Sequence, residues 1–453
     1  MNPDETLPDE IPLLISNELI QGSNPTMKIW LINSAEPTPI DAGHNRLRRM
    51  GILADLLVDH GHEVLWWNST FRHNEKEYLF DSATTIEINP KYRIRFLHAP
   101  KYRKNISLQR IRNHVVLAKK FRLEAENALQ PDLILSSFPT IELCHEAVRY
   151  GHKYNVPTVL DIRDLWPDLF LDRIPPWARG LGRASLASFF RLSKLSTEGA
   201  TAICGNTEDF VQWGLDRAGR NRRRFDRAFP FGYAPLELST QQETKPKHFW
   251  HQQGVGLDPD VPIACFFGVF SHQFDFDTIL KAAEQVQRQR RMQFVLCGKG
   301  EYLEHYRALT AGNPDIVLPG WIDSQEIWTL MQLSKFGLAP YIACENFFKN
   351  VANKPIEYLA GGLPILSSLP QGALFQLIEE HSCGVNYDGS ASTLARALLM
   401  LDEQPQQYEL LANNARKLFS QRFEATQVYG GMIRHLEAIV ANYADRYTPA
   451  RAA

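Results

Sequence analysis

In the stretch 350–368, NVANKPIEYLAGGLPILSS, a lysine stands three residues before a glutamate at the start of a short helical pattern. Asn353 is a helix-capping type, and Pro355 suits a first turn, where its missing N–H costs nothing. Ile356, Leu359 and Ala360 recur at i, i+3, i+4, Gly361 and Gly362 stop the helix, and Ile365-Leu366 read as a strand. This predicts a helix of about two turns with Glu357 in its first turn. The free N–H groups of such a terminus suit a phosphate, and Lys354 adds a positive charge there. An ionised carboxylate only accepts hydrogen bonds, so Glu357 suits sugar hydroxyls beside that phosphate. A plain structural account also fits: an acid placed on the helix dipole and a solvated lysine.

Other residues have the types for chemistry. DIRDLWPD at 161–168 ends an apolar strand with Asp161, Arg163, Asp164 and Asp168 close together, of which Arg163 and Asp164 are the candidates. An Asp–Arg ion pair capping the strand end is the structural alternative. Gly43 and His44 open the first helical segment. A glycine there lets backbone approach a ligand, and His44 can donate to a phosphate or an acceptor hydroxyl, with Arg46 a weaker case. In CGKGE, Gly298 permits close approach to a nucleotide, whereas Lys299 reads as solvated. Residues 91–122 hold eleven Lys and Arg and no acid, with aromatic and aliphatic residues interleaved. Such a segment suits an anionic lipid surface or an acceptor's diphosphate, with Arg103, Lys104, Arg110 and Arg112 as the docking set. No nucleic-acid motif accompanies the charge, and a solvated basic face is the bland reading. No metal-ligand pattern stands out; FDFD at 274–277 reads as a helix cap.

These residues need two scaffolds. A chain of 453 residues predicts two domains, and 44% hydrophobic content supports real cores. The net charge of −2 argues against a general attraction to nucleic acid or membrane. Six cysteines are scattered singly, with no CxxC and no zinc spacing, which favours a reducing cytoplasm. Residues 1–26 are polar and Pro-rich, lack a signal pattern, and read as an extension. No apolar run is long enough to span a bilayer. Strand 28–33, helix 47–61 and strand 62–69 make a βαβ unit, followed by strands 131–137, 156–162 and 200–206. Residues 236–260 are polar and read as the connection between halves. A second strand–helix series then starts at 262. The expected fold is α/β: two doubly wound, Rossmann-like domains facing a cleft, where ligands bind beyond the carboxyl ends of the strands. The boundaries are 1–26 extension, 27–238 first domain, 239–424 second domain, and 425–453 a terminal helix returning to the first domain.

With DAGHNRLRRMGILADLLVDHGHEV, DIRDLWPD, FVLCGKGEYLEHY, VLPGWIDSQEIWTLMQLSKFGLAPY and NKPIEYLAGGLPILSS in that order, residues 28–445 resemble the GT-B retaining glycosyltransferases. The resemblance is to glycosyltransferase family 4, of the bacterial O-antigen, capsule and exopolysaccharide type. It implies that Glu357 holds the ribose of a nucleotide-sugar donor, with Lys354, Asn353 and the helix start at the diphosphate. It further implies that Trp321 and Ile322 meet the nucleobase through their backbone. It puts the sugar-binding or acid/base position of the first domain at Arg163 and Asp164. The implied reaction is metal-independent, without a cofactor. The acceptor is expected to be a polyprenyl-linked glycan, at the inner face of the cytoplasmic membrane. Two features depart from the family pattern. Lys349 stands where many members carry the first of two glutamates eight positions apart. Val269 and Phe274 stand where many carry a phosphate-gripping Arg and Lys. A sugar-nucleotide epimerase of this fold, or a catalytically altered partner subunit, are the rival readings.

Overall fold

The computed structural model describes residues 25–41, 47–73, 75–171 and 174–445. Gly43, His44 and Arg46 lie outside the described residues, as does nearly all of the 1–26 extension. The first sheet contains β1 (Lys28–Ile32), β2 (Glu63–Ser69), β3 (Thr84–Asn89), β4 (Tyr92–Leu97), β5 (Leu133–Phe138), β6 (Thr158–Ile162), β7 (Ala202–Gly205) and β8 (Arg227–Ala228). Its order is β3-β4-β2-β1-β5-β6-β7-β8, parallel throughout except for the β3–β4 pair. Alternation along β1 feeds both faces. Ile29 and Leu31 join a core with Met50, Leu53 and Leu57, whereas Trp30 and Ile32 join one with Leu117, Phe121 and Ala147. Because helices cover both faces, strands such as β5 (LILSSF) are buried along their whole length.

The second sheet contains β9 (Ile263–Val269), β10 (Gln293–Lys299), β11 (Ile316–Val317), β12 (Phe336–Ala339), β13 (Ile365–Ser367) and β14 (Gly384–Asn386). Its order is β11-β10-β9-β12-β13-β14, all parallel. Strand order reverses between β1 and β5 in one domain and between β9 and β12 in the other. Such switch points leave open crevices at the strand ends.

The chain crosses between domains twice at one place. Phe229 belongs to the first core and Tyr233 to the second, while on the return Phe423 belongs to the second and Ala425 to the first. Tyr233 N donates to Phe423 O at 2.9 Å, and Ala425 N donates to Tyr233 O at 3.0 Å. The terminal helix Ala425–Asp445 packs Tyr429, Met432, Ile433 and Leu436 against the helix Arg49–Asp59 side of the first domain.

Three local expectations change. The basic run 91–122 divides into β4 and the helix Leu108–Ala125, because Tyr92, Ile94 and Phe96 alternate inward while Leu117 and Phe121 fall at helical spacing. Within the polar stretch 236–260 lies the helix Thr240–Gln252, started by a reciprocal capping box between Ser239 and Gln242. Its anchor Trp250, fully buried, donates from Nε1 to Glu326 O at 2.9 Å. DIVLPGW at 315–321, which reads as a strand in the second series, is a strand only at Ile316–Val317.

Candidate functional site in the cleft between the domains

The helix Asn353–Ala360 starts one residue earlier than its composition suggests. Ala352 occupies the capping position and Asn353 is already helical, so Asn353 is not the cap. Glu357 consequently falls in the second turn, where the dipole argument for an acid is weak. It is nevertheless only 3% exposed. Together with Asn353 it lines a cavity of about 570 Å³ whose opposite wall comes from the first domain.

Lys354 leans the other way, over the end of β9. Its ammonium lies 4.4 Å from the Phe274 ring centroid and 5.5 Å from that of Phe266. A Cβ on Gly268 would stand 2.3 Å from Lys354 Cε, so only glycine at that position leaves the lysine tail its path. Burial pushes the Lys354 ammonium down to about 8, against a partial rescue by Glu357; the charge of Arg48 across the cleft lowers it further. Of the two positions where a phosphate grip was expected, Phe274 packs its ring against Lys354, whereas Val269 is half-exposed and lines a second cavity between the domains.

The first-domain wall is an ion-pair network. Asp161, fully buried at the end of β6, accepts from Arg49 Nη1 at 3.2 Å and from Arg163 Nε at 2.9 Å. Arg163 also pairs with Glu36, whose Oε2 accepts from the Met50 N–H at 2.8 Å at the start of the helix Arg49–Asp59. Burial works against the Arg163 charge, but Glu36 and Asp161 more than offset it and hold the guanidinium firmly protonated. Arg163 Nη2 is buried without a protein partner. Asp164 lines the cavity with Arg163, and burial raises its carboxyl to about 6 although Arg110 and Arg163 oppose the shift. Glu36 and Arg48 were not singled out by sequence. Both sit in or just after the loop following β1, and neither carries a local pattern.

Several expected residues are placed differently. Gly298 has φ +149°, and a Cβ there would stand 1.8 Å from Gly268 O. Contact with the neighbouring strand by itself therefore demands a glycine here. Trp321 lies open at the cleft, with the ammonium of the exposed Lys299 4.6 Å from its ring centroid. Ile322 is buried in the second core and can offer only backbone. Lys349 turns to Glu345 at 3.7 Å, and its carbonyl accepts from Thr207 Oγ1 at 2.5 Å across the domains. Arg103, Lys104 and Arg112 are exposed, but Arg110 is not part of that face. It folds inward, 4.4 Å from the Trp166 centroid, and donates from Nη1 to Asn105 O at 2.9 Å. The helical spacing that exposes Arg112 turns Arg110 toward β6.

Residues 261–404 match the family model described as Glycosyl transferases group 1. No curated protein matches the chain. Among solved structures, sucrose-phosphate synthase from Thermosynechococcus elongatus aligns with a TM-score of 0.67 at 16% identity, covering 92% of this chain and 100% of that one. HepE from Anabaena in complex with UDP aligns with a TM-score of 0.64 at 14% identity over 91% of this chain and 100% of its own. The fold is GT-B. WaaG, a glycosyltransferase involved in lipopolysaccharide biosynthesis, shares it with a TM-score of 0.60 at 12% identity, over 91% of this chain and 99% of that one. In this GT-B chain the family match spans the part of the second domain that holds Gly268, Trp321, Lys354 and Glu357.

Proposed function

We propose that this protein is a retaining glycosyltransferase that moves a sugar from a nucleoside-diphosphate donor to a hydroxyl of a lipid-linked glycan acceptor in cell-surface polysaccharide assembly. The observation that carries this reading is the cleft itself. A buried glutamate on one helix of the second domain shares a cavity with Arg48, Arg163 and Asp164 of the first, and a desolvated lysine of the same helix lies over the end of β9, near enough to Arg48 to feel its charge. In this reading Glu357 accepts from the ribose hydroxyls and Trp321 lies beside the base. The diphosphate spans the gap between Lys354 and Arg48, restoring a full charge to the lysine and stabilising the negative leaving group. Those cations supply the countercharge, so the transfer needs no metal ion or cofactor. The sugar points to Asp164 and Arg163, and front-face attack by the acceptor hydroxyl keeps the anomeric configuration. HepE binds UDP and UDP-glucose and WaaG acts in lipopolysaccharide biosynthesis; both are consistent with this class of donor and product.

The membrane part of the reading rests on exposed apolar residues among basic ones. Leu108 is 83% exposed beside Arg103, Lys104 and Arg112, and Trp177 is 85% exposed in the acid-free stretch 174–197 with Arg179, Arg183, Arg191 and Lys194. Trp166 carries the Arg110 guanidinium over its ring and meets Phe170 edge to face. No helix among the described residues is long and apolar enough to cross a membrane. This edge fits peripheral contact with the inner, anionic face of the cytoplasmic membrane. Calorimetric titration with UDP, ADP, GDP and their glucose conjugates tests the donor class. Saturable binding of one nucleoside diphosphate, and transfer of labelled sugar from its conjugate to membrane lipid extract, are the expected results. Failure of all three nucleotides to bind would reject the reading.

A further inference from the structure

A second group of basic side chains lies on the first-domain side of the cleft, away from the Glu357 helix. His73 and Lys76 line a cavity of about 800 Å³ between the domains, with Asn105 beside them. Lys76 Nζ donates to His73 O and to Asn105 Oδ1, both at 2.5 Å, and sits 4.8 Å from the Tyr102 ring centroid. His73 Nδ1 is engaged with the Tyr102 hydroxyl at 2.5 Å, which leaves Nε2 for another partner. Behind them Arg110 lies 5.8 Å from the same Tyr102 ring. Among the described residues no carboxylate makes an ion pair with Lys76 or Arg110, although Arg72 beside them is paired with Asp41 at 2.6 Å. Lys76 also holds φ +62°, a conformation costly for a residue with a side chain. The surrounding field is strongly positive: burial, then Arg110 and Lys76, push the His73 imidazole down to about 3.

Lys76 and a neutral imidazole line the cavity with Arg110 behind them; of the carboxylates that share its lining, Asp41 is paired with Arg72 and Glu36 with Arg163, while Glu75 acts on Lys76 without an ion pair to it, so the ammonium and the imidazole can serve an anion with several oxygens. We infer that Lys76 and His73, backed by Arg110, form a subsite for a phosphate or carboxylate group carried by the acceptor. The inference rests on the transferase reading for the word acceptor, but the anion site itself does not. The cluster belongs wholly to first-domain elements, in the segments around 73–76 and 102–110, and it borders Asp164 through Arg110. An acidic group held there would fix the acceptor hydroxyl relative to the reacting centre, so neutral sugars would be poor acceptors. The donor's diphosphate has the same chemistry, and the test separates the two sources.

Inorganic phosphate is titrated into the full-length protein, alone and with the binding nucleoside diphosphate at saturation. Lys76→Gly is the chosen variant, because glycine accepts φ +62° and relieves strain while deleting the ammonium; Lys76→Arg is the charge-retaining control. The expected result is that phosphate binds alongside the nucleotide. Lys76→Gly should lose at least about tenfold in phosphate affinity, as expected for a charge-assisted contact, with less than a twofold change for the nucleotide. Lys76→Arg should recover most of the loss. Absence of phosphate binding overturns the inference. Competition between phosphate and nucleotide, with Lys76→Gly weakening both alike, also overturns it and gives the cluster to the donor diphosphate. If phosphate binds but no nucleotide does, the anion site stands and the transferase reading falls.

Discussion

The Lys354 ammonium is the part of the donor site whose behaviour can be worked out in advance. Burial lowers it from 10.5 to about 8, because little water reaches it between the Phe266 and Phe274 rings and the Gly268 backbone. A diphosphate at this place would restore its proton. With an empty-site value of about 8, roughly nine-tenths of the free protein carries the charge at about pH 7 and only about 3% at about pH 9.5. Since the bound form keeps the proton, affinity for the nucleoside diphosphate should fall roughly 30-fold over that range. The matching nucleoside, which lacks phosphates, should show a flat profile. Titration near pH 8.5 in two buffers of different ionisation enthalpy should show proton uptake on binding the diphosphate. Lys354→Met should abolish both the slope and the uptake. It should also weaken the diphosphate at neutral pH by about 10- to 150-fold, the roughly 1.5–3 kcal/mol of a charge-assisted contact, and leave the nucleoside within a factor of two. Gly268→Ala should imitate it, because the new methyl displaces a flexible lysine tail and not backbone. A pH-independent diphosphate affinity in the wild type, or equal losses for nucleoside and diphosphate in Lys354→Met, would refute the phosphate role.

Three further outcomes are expected. Glu357→Gln should lose most nucleotide affinity, with a smaller loss for the 2′,3′-dideoxynucleotide, while thermal melting shows an intact fold; unchanged affinity would remove the ribose role. Asp164, raised by burial from 3.8 to about 6, binds its proton more tightly folded than unfolded. Its contribution to stability should therefore be full below pH 3.8 and be lost as pH rises through about 6, and Asp164→Asn should erase that change in a denaturant series. The transfer rate should show an inflection near pH 6 that the same variant removes. Reversing Arg103, Lys104 and Arg112 to glutamate together with Trp177→Ser should prevent sedimentation with anionic vesicles and spare nucleotide binding. Wild-type binding should weaken as salt shortens the screening length to about 10 Å at 0.1 M; a wild type indifferent to anionic vesicles at low salt would end the membrane reading.

Much of the scaffold was legible because its rules are local. Buried parallel strands read as continuous apolar runs, and helix 276–287 announces itself by period and by Asp275, whose side chain accepts from Thr278 N at 3.0 Å. The order of those elements along the chain was enough to imply two doubly wound units. Lys354 and Glu357 stood out for the same reason, since their helix carries its start, its stripe and its stop within a dozen residues. The hairpin β3–β4 and the helix Thr240–Gln252 were missed, being short or polar, with burial confined to a few anchors such as Trp250.

What only tertiary structure decided is which charges meet. Glu36, Arg49, Asp161 and Arg163 come from three separated segments, and nothing in their local sequence marks them as one network. Arg110 and Arg112 look alike in the basic run, yet the roughly half turn of helix between them sends the first against Trp166 and the second into solvent. Gly298 looks like a ligand-approach glycine, and only the 1.8 Å clash of a Cβ with Gly268 O shows that packing of β9 on β10 requires it. Local sequence sets backbone preference and periodicity, which depend on near neighbours. The charge state and reach of Lys354, His73 and Asp164 depend on what desolvates and faces them, and those groups arrive from positions far away in the chain.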